Sequence, residues 1–342
     1  MVHNMEIKRQ LFQFGTFFQL HQFLRLWLKD KVIILMYHGF TDQDGHEGIE
    51  NNQGKHIHIE KFGAQVKFLK ENYNVLPLNQ VVSYLATGKK LPPWPVVLTF
   101  DDGYRSNYSL AYPILKEFGV PATIFLATDF IESNEWLWTD RVEYAIDKGK
   151  FPGSSPSSES KKMLDRKIRL ELKGIRQELR SEKVEDLESR QGASLSEERP
   201  SSEIYRPLSW EEVRGMIQSG LVSVGNHTHT HVILTRCDLE TIEEELRLSE
   251  EIIEKRTGVR CQLFCYPNGE IGDFDERTKK ILKDRGYSCA LTTLPGFNDP
   301  YSDPLELKRF GVSNHMDWSE FVMTLCGFKK FLSDLKKWAL RC

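Results

Sequence analysis

The stretch that most constrains this chain is Val96-Val97-Leu98-Thr99-Phe100-Asp101-Asp102-Gly103. An apolar β-branched run bounded by Pro95 and Gly103, too short for a helix, predicts a strand buried on both faces, as in parallel sheets. Two carboxylates then stand at its C-terminal end. Residues 104–118 have helical spacing and stop at Gly119-Val120-Pro121, and a second apolar run, Ala122–Leu126, follows. This order is a βαβ unit with two aspartates at the mouth, where α/β folds keep their chemistry. Neighbouring side chains on extended backbone point opposite ways, so Asp101 and Asp102 are expected to divide the work, one holding a metal and the other moving protons. Taken alone, Asp-Asp-Gly is also an ordinary turn.

Composition narrows the function classes. With 342 residues, 40% of them hydrophobic and 28% charged, the chain can bury one large core or two small ones. A net charge of −3, with no basic stripe interleaved with aromatics, argues against nucleic acid as a partner. The six cysteines form no CxxC pair and read as reduced thiols. Near the N-terminus, residues 11–28 are interrupted by Gln13, Gln19, His21, Gln22 and Arg25, so neither a secretory signal nor a membrane span is expected. Residues 1–30 instead read as an amphipathic helix and 316–342 as another, each packing on the domain or touching a membrane surface peripherally. The expected location is the cytoplasm, with the inner membrane surface as its edge case. Oligomeric state is not readable.

Residues 31–39 predict a further buried strand, ending in His38-Gly39. Residues 41–58 read as a loop whose His46, His56 and His58 are solvated. A helix follows over 59–73, an edge strand at 75–78 and a short helix stopped by Gly88. Trp136-Leu137-Trp138 is an aromatic segment suited to a groove. Residues 149–206 shift to Ser, Pro and charge, with Met163, Leu164, Ile168, Leu172, Ile175 and Leu179 at helical spacing; the charge favours a solvated helical insertion over a lid. The second decisive stretch is Leu221 to His231, a strand broken at Gly225 that delivers His227, His229 and His231. His227 and His231, four apart, can turn both imidazoles to one side, a metal-ligating arrangement that leaves His229 pointing elsewhere. Strands are expected again at 261–266, 287–292 and 307–312.

With Thr99-Phe100-Asp101-Asp102-Gly103 and His227-Thr228-His229-Thr230-His231 in this order, each at a strand end, the chain resembles the polysaccharide deacetylase family, also called the NodB-homology or carbohydrate esterase family 4 domain. Leu35-Met36-Tyr37-His38 at the N-terminus matches the family's Leu-x-x-His motif, otherwise found near the C-terminus. This arrangement resembles the circularly permuted branch that includes poly-N-acetylglucosamine deacetylases. The resemblance covers about residues 31–315 and implies a distorted (β/α)7 barrel interrupted by the 149–206 insertion.

It also implies metal-dependent removal of acetyl groups from N-acetylated sugars, in a polysaccharide, oligosaccharide or lipid-linked glycan. By the resemblance Asp102, His227 and His231 hold a divalent metal, zinc first, with cobalt or nickel as alternatives. Asp101 is the base and His38 the acid, with His315 its weaker rival. The third motif departs from the family: Tyr266-Pro267-Asn268-Gly269 lacks the usual Arg, so Arg309 becomes the candidate to orient Asp101, and Tyr266 and Asn268 the candidates at the oxyanion or substrate. Asp317-Trp318 is a coincidental match to the fourth motif. Two alternatives stay open: hydrolysis of another non-peptide C–N bond, and sugar binding without catalysis.

Overall fold

The computed structural model describes residues 25–149, 151, 156–191 and 203–328. Ten strands lie among them: β1 (Ile33–Tyr37), β2 (Gly39–Thr41), β3 (His56–His58), β4 (Asn74–Val75), β5 (Pro95–Phe100), β6 (Ala122–Leu126), β7 (Val222–Asn226), β8 (Leu263–Cys265), β9 (Cys289–Leu291) and β10 (Phe310–Gly311). Eight form one parallel sheet in the order β10-β1-β5-β6-β7-β8-β9, with β4 beside β5; β2 and β3 pair separately. The segment leading into β10 touches both ends of this path. Leu307 donates to Ala290 and accepts from Thr292 on the β9 side, while Phe310 and Gly311 pair with Leu35 and Met36 of β1. The sheet therefore curls into the distorted (β/α) barrel that the family resemblance implies.

Strand alternation sorts the side chains into two cores. On β5, Val96, Leu98 and Phe100 pack outward with Ile33, Leu35 and Tyr37 of β1 against the surrounding helices. Val97 packs inward with Ile34, Phe125, Cys265, Cys289, Leu291 and Leu307. Continuing the inward parity past the strand ends selects His38 after β1, Asp101 after β5 and His227 after β7. The barrel's inner face thus delivers these three side chains to its C-terminal mouth.

Three local expectations change. The helix expected over 104–118 opens as a five-residue π turn, Asn107–Ala111, and becomes α-helical only at Tyr112–Phe118. This wider turn brings Asn107 beneath the end of β1, where its amide donates to the His38 carbonyl at 2.6 Å. His56 is not a solvated loop histidine: it is fully buried, its ring 4.8 Å from that of Tyr104, and it abuts Gly39, where any Cβ would lie 2.0 Å from its Nδ1. His46 is paired with Glu50, and His58 caps the Ile59–Asn72 helix.

The insertion is not a solvated excursion. Its helices, Ser158–Lys173 and Gln177–Gln191, pack on the Trp138–Lys148 helix through Val142, Ile146, Leu172 and Val184. Arg169 is buried, donating to Asp165 at 2.7 Å and to Glu143 at 3.3 Å. Of the terminal helices, Arg25–Leu28 forms a single 3-10 turn and Trp318–Leu325 a short helix; residues 1–24 and 329–342 lie outside the described residues. No helix among the described residues is long and apolar enough to cross a membrane.

Candidate metal centre and active site

A cavity of about 410 Å³ opens at the barrel mouth, walled by Met36, His38, Asp101, Asp102, His227 and His231 among others. Both aspartates reach it, contrary to the simple alternation argument. Asp101 follows the inward parity of Val97 and Thr99. Asp102 would point outward, but its backbone is left-handed (φ 76°) and swings the carboxylate back to the rim. Gly103, also at positive φ (95°), completes the turn.

The two carboxylates have different surroundings. Asp101 is held by the Arg309 guanidinium through two parallel bonds of 2.7 Å, Nη1 to Oδ1 and Nη2 to Oδ2. Arg309 is wholly buried rather than a surface residue, and its remaining donors reach the Thr292 carbonyl, Thr99 Oγ1 and Cys265 Sγ. Burial opposes ionisation of Asp101, but the charge and hydrogen bonds of Arg309 outweigh it, so the carboxyl titrates below its ordinary range. Cys265 was legible only as a thiol; its Sγ lies 3.6 Å from Asp101 Oδ2, and burial raises its pKa.

Asp102 faces the two imidazoles. His227 Nε2 is 3.4 Å and His231 Nε2 3.2 Å from its Oδ1, and one ligand atom from each of the three residues lies within 4.8 Å of the others. His227 Nδ1 is committed to the Cys265 carbonyl at 2.8 Å, which aims Nε2 at Asp102. His231 reaches the rim from a loop in which Thr228 (φ 63°) and His231 itself (φ 57°) are left-handed. His229 turns away to Thr128 Oγ1.

Asp102 Oδ1 is buried without a hydrogen-bond partner, which is costly unless a cation completes the site. Two imidazoles and one carboxylate around an orphaned oxygen suit a divalent ion with open positions for water and substrate. Asp101, His227 and Cys265 also cluster, yet both Asp101 oxygens and His227 Nδ1 are already engaged. The Asp102 set fits a metal better.

The other expected site residues are distributed unevenly. His38 lines the cavity; burial lowers its pKa, while Asp102 and Asp101 pull the other way. Tyr266 cannot be an oxyanion donor: its backbone N–H is bonded to the Leu291 carbonyl and its hydroxyl to that of Leu305, so it contributes a wall. Asn268 stands at the mouth with a left-handed backbone (φ 63°) and its side-chain amide tied to Asp273. His315 lies away from the metal rim and bonds the Asn52 carbonyl, so it is no rival to His38. Lys55, unremarked in the sequence, lines the cavity with its ammonium on Asp140 and Tyr104.

Comparison with known proteins gives the family and the fold. The polysaccharide deacetylase sequence family matches residues 88–290. YxkH of Bacillus subtilis (strain 168), named as a polysaccharide deacetylase, is 24% identical over 300 residues, 86% of this chain and 77% of its own. The poly-beta-1,6-N-acetyl-D-glucosamine N-deacetylase of Staphylococcus epidermidis is 29% identical over 119 residues, 32% of this chain and 40% of its own. Among solved structures, the Streptococcus pyogenes deacetylase PplD, in complex with acetate, superposes with a TM-score of 0.60 at 20% identity, covering 87% of this chain and 99% of that one. At that identity the likeness is one of fold.

Proposed function

The chain belongs to the polysaccharide deacetylase family and is a carbohydrate deacetylase, and from that premise we propose how it acts and on what. The reaction is hydrolysis of the acetamide of an N-acetylglucosamine-type glycan, with Asp102, His227 and His231 holding zinc or a similar divalent ion. The observation that carries this reading is the pairing of a clamped carboxylate, Asp101–Arg309, with an adjacent carboxylate–imidazole set whose buried oxygen makes no hydrogen bond.

Bound there, the ion would polarise the acetyl carbonyl and acidify a water molecule. Asp101 accepts a proton from the attacking water; Arg309 keeps it ionised and fixes the plane of its carboxylate, leaving a second lone pair on Oδ1, since Cys265 Sγ also reaches Oδ2. His38, across the mouth, gives a proton to the departing amine, which leaves poorly without one. Asn107 holds the His38 backbone in place. Tyr266, Trp138 and Met36 supply apolar walls for the sugar.

The deciding experiment is acetate release from N-acetylglucosamine oligomers by the protein as purified, after chelation, and after zinc or cobalt is restored, with Asp101→Asn as control. Release that chelation abolishes, metal restores and Asp101→Asn lacks is the expected result. Metal binding without acetate release would move the substrate to another amide, and failure to bind metal would overturn the roles of Asp102, His227 and His231.

A further inference from the structure

A second cavity, of about 490 Å³, adjoins the first and shares Gln53 and Lys173 as walls. Its far wall is the outer face of the Ser158–Lys173 helix, carrying Lys162, Arg166 and Lys173, with His315 opposite and one acid, Glu159. The cations of this lobe fall into two groups. Those nearest the metal rim are neutralised: Lys55 by Asp140, Arg169 by Asp165 and Glu143, and Lys173 by Glu270 at 3.8 Å. Lys162 and Arg166 have no ion pair or hydrogen bond with any described residue. They stand one helical turn apart, where like charges repel, and the chain as a whole is slightly acidic. Met163 and Leu170, 60% and 64% exposed, lie on the same face.

We propose that this groove is an anion subsite, and that the substrate is a glycan bearing a phosphate group within a few sugar units of the acetylated residue. The proposal rests on the deacetylase reading above and specifies its substrate class. Lys162 and Arg166 receive the phosphate while the acetamide sits at the metal rim, and Gln53 and Lys173 line the passage between them. The phosphate belongs either to the polymer itself or to a lipid carrier, whose chain would lie on Met163 and Leu170.

The test compares, with the full zinc-loaded chain, an N-acetylglucosamine trisaccharide and the same trisaccharide carrying one phosphate. The readout is the ratio of their kcat/KM values. The expected ratio is roughly tenfold in favour of the phosphorylated substrate, falling toward unity in Lys162→Gln/Arg166→Gln and in high salt, where exposed charges are screened. A ratio near one in the unaltered protein overturns the subsite. Should neither trisaccharide release acetate, the deacetylase reading fails and calorimetric binding judges the groove separately. Tighter binding of the phosphorylated sugar that is lost in the double variant supports the subsite, and equal affinities overturn it. A prenyl-phosphate-linked sugar distinguishes the two sources. An added gain that disappears in Met163→Gln/Leu170→Gln assigns the phosphate to a lipid carrier, and no added gain assigns it to the polymer.

Discussion

The floor and the rim of the barrel mouth are built on opposite plans. On the floor, Asp101, Arg309, Thr99 and Cys265 form a closed network in which both carboxylate oxygens and several guanidinium donors are bonded within the protein. At the rim, Asp102 Oδ1 and His231 Nδ1 are buried and make no hydrogen bond, Oδ1 having only the two imidazoles at ion-pair distance. A network tied within the protein holds a charge and a geometry steady through a reaction; an open one is shaped around something that must come and go. Two adjacent aspartates therefore belong to different machines, one fixed and one receptive.

Losing the receptive half is expected to have the largest effect. Asp102→Ala or His231→Ala abolishes metal retention, read by elemental analysis, and takes acetate release with it. Asp101→Asn tests the fixed half: metal content is retained while kcat falls by about 10²- to 10⁴-fold, the range for loss of a general base. If Asp101→Asn also loses metal, the two halves are not separable and the contrast collapses.

Arg309→Met leaves Asp101 buried without its counter-charge and is expected to cost about 3–5 kcal/mol of stability, measured by urea unfolding. Its pH dependence has a definite sign. The Asp101 pKa is lower in the folded protein than in the unfolded chain, so the stabilisation is complete above about pH 4 and is lost as pH falls through the folded value. In Arg309→Met burial raises the Asp101 carboxyl instead, so the wild-type advantage should be largest at and above neutrality and shrink on acidification as Asp101 protonates first in the variant.

A smaller effect sharpens the rim. Burial disfavours the imidazolium of His227, but its surroundings at Cys265 and Asp102 outweigh burial and hold its pKa well above the ordinary value. Protons therefore compete with the metal already above about pH 6.5, and affinity should fall by up to about tenfold per pH unit on acidification, followed by cobalt absorbance. His315→Ala, outside both halves, should change kcat by less than about twofold, measured on the same oligomers.

The strands were readable where local chemistry agreed with tertiary need. Ala122–Leu126 is legible to the residue because a short apolar run stands between Pro121 and the next polar segment. The residue types and spacing of Asp102, His227 and His231 already marked them as a candidate metal set, and the structure brings one ligand atom of each within 4.8 Å of the others. Less visible were features set by contacts distant in sequence. Asp102's left-handed turn cannot be read from Asp-Asp-Gly, because an isolated strand end predicts opposite-facing side chains. His56 looked solvated among Asn, Gly and Lys neighbours, yet it fills the space that Gly39 leaves. The charged insertion looked soluble because its buried acids and Arg169 neutralise one another only once folded. Cys265 had a usable signal: with Leu263 it shares the inward parity of β8.

The closing segment before β10 carries a further consequence, for the order in which competence appears. The Arg309–Asp101 bond joins residues 208 positions apart, and its arginine comes from the stretch that links β9 to β1. Such a distant contact is slow to form and comes late in assembly. A partly folded chain can already bring together the three candidate metal residues, which lie between residues 102 and 231, while Asp101 still lacks its counter-charge. Ligand capture and chemical readiness are thus separate events, and the second waits for the ring to shut.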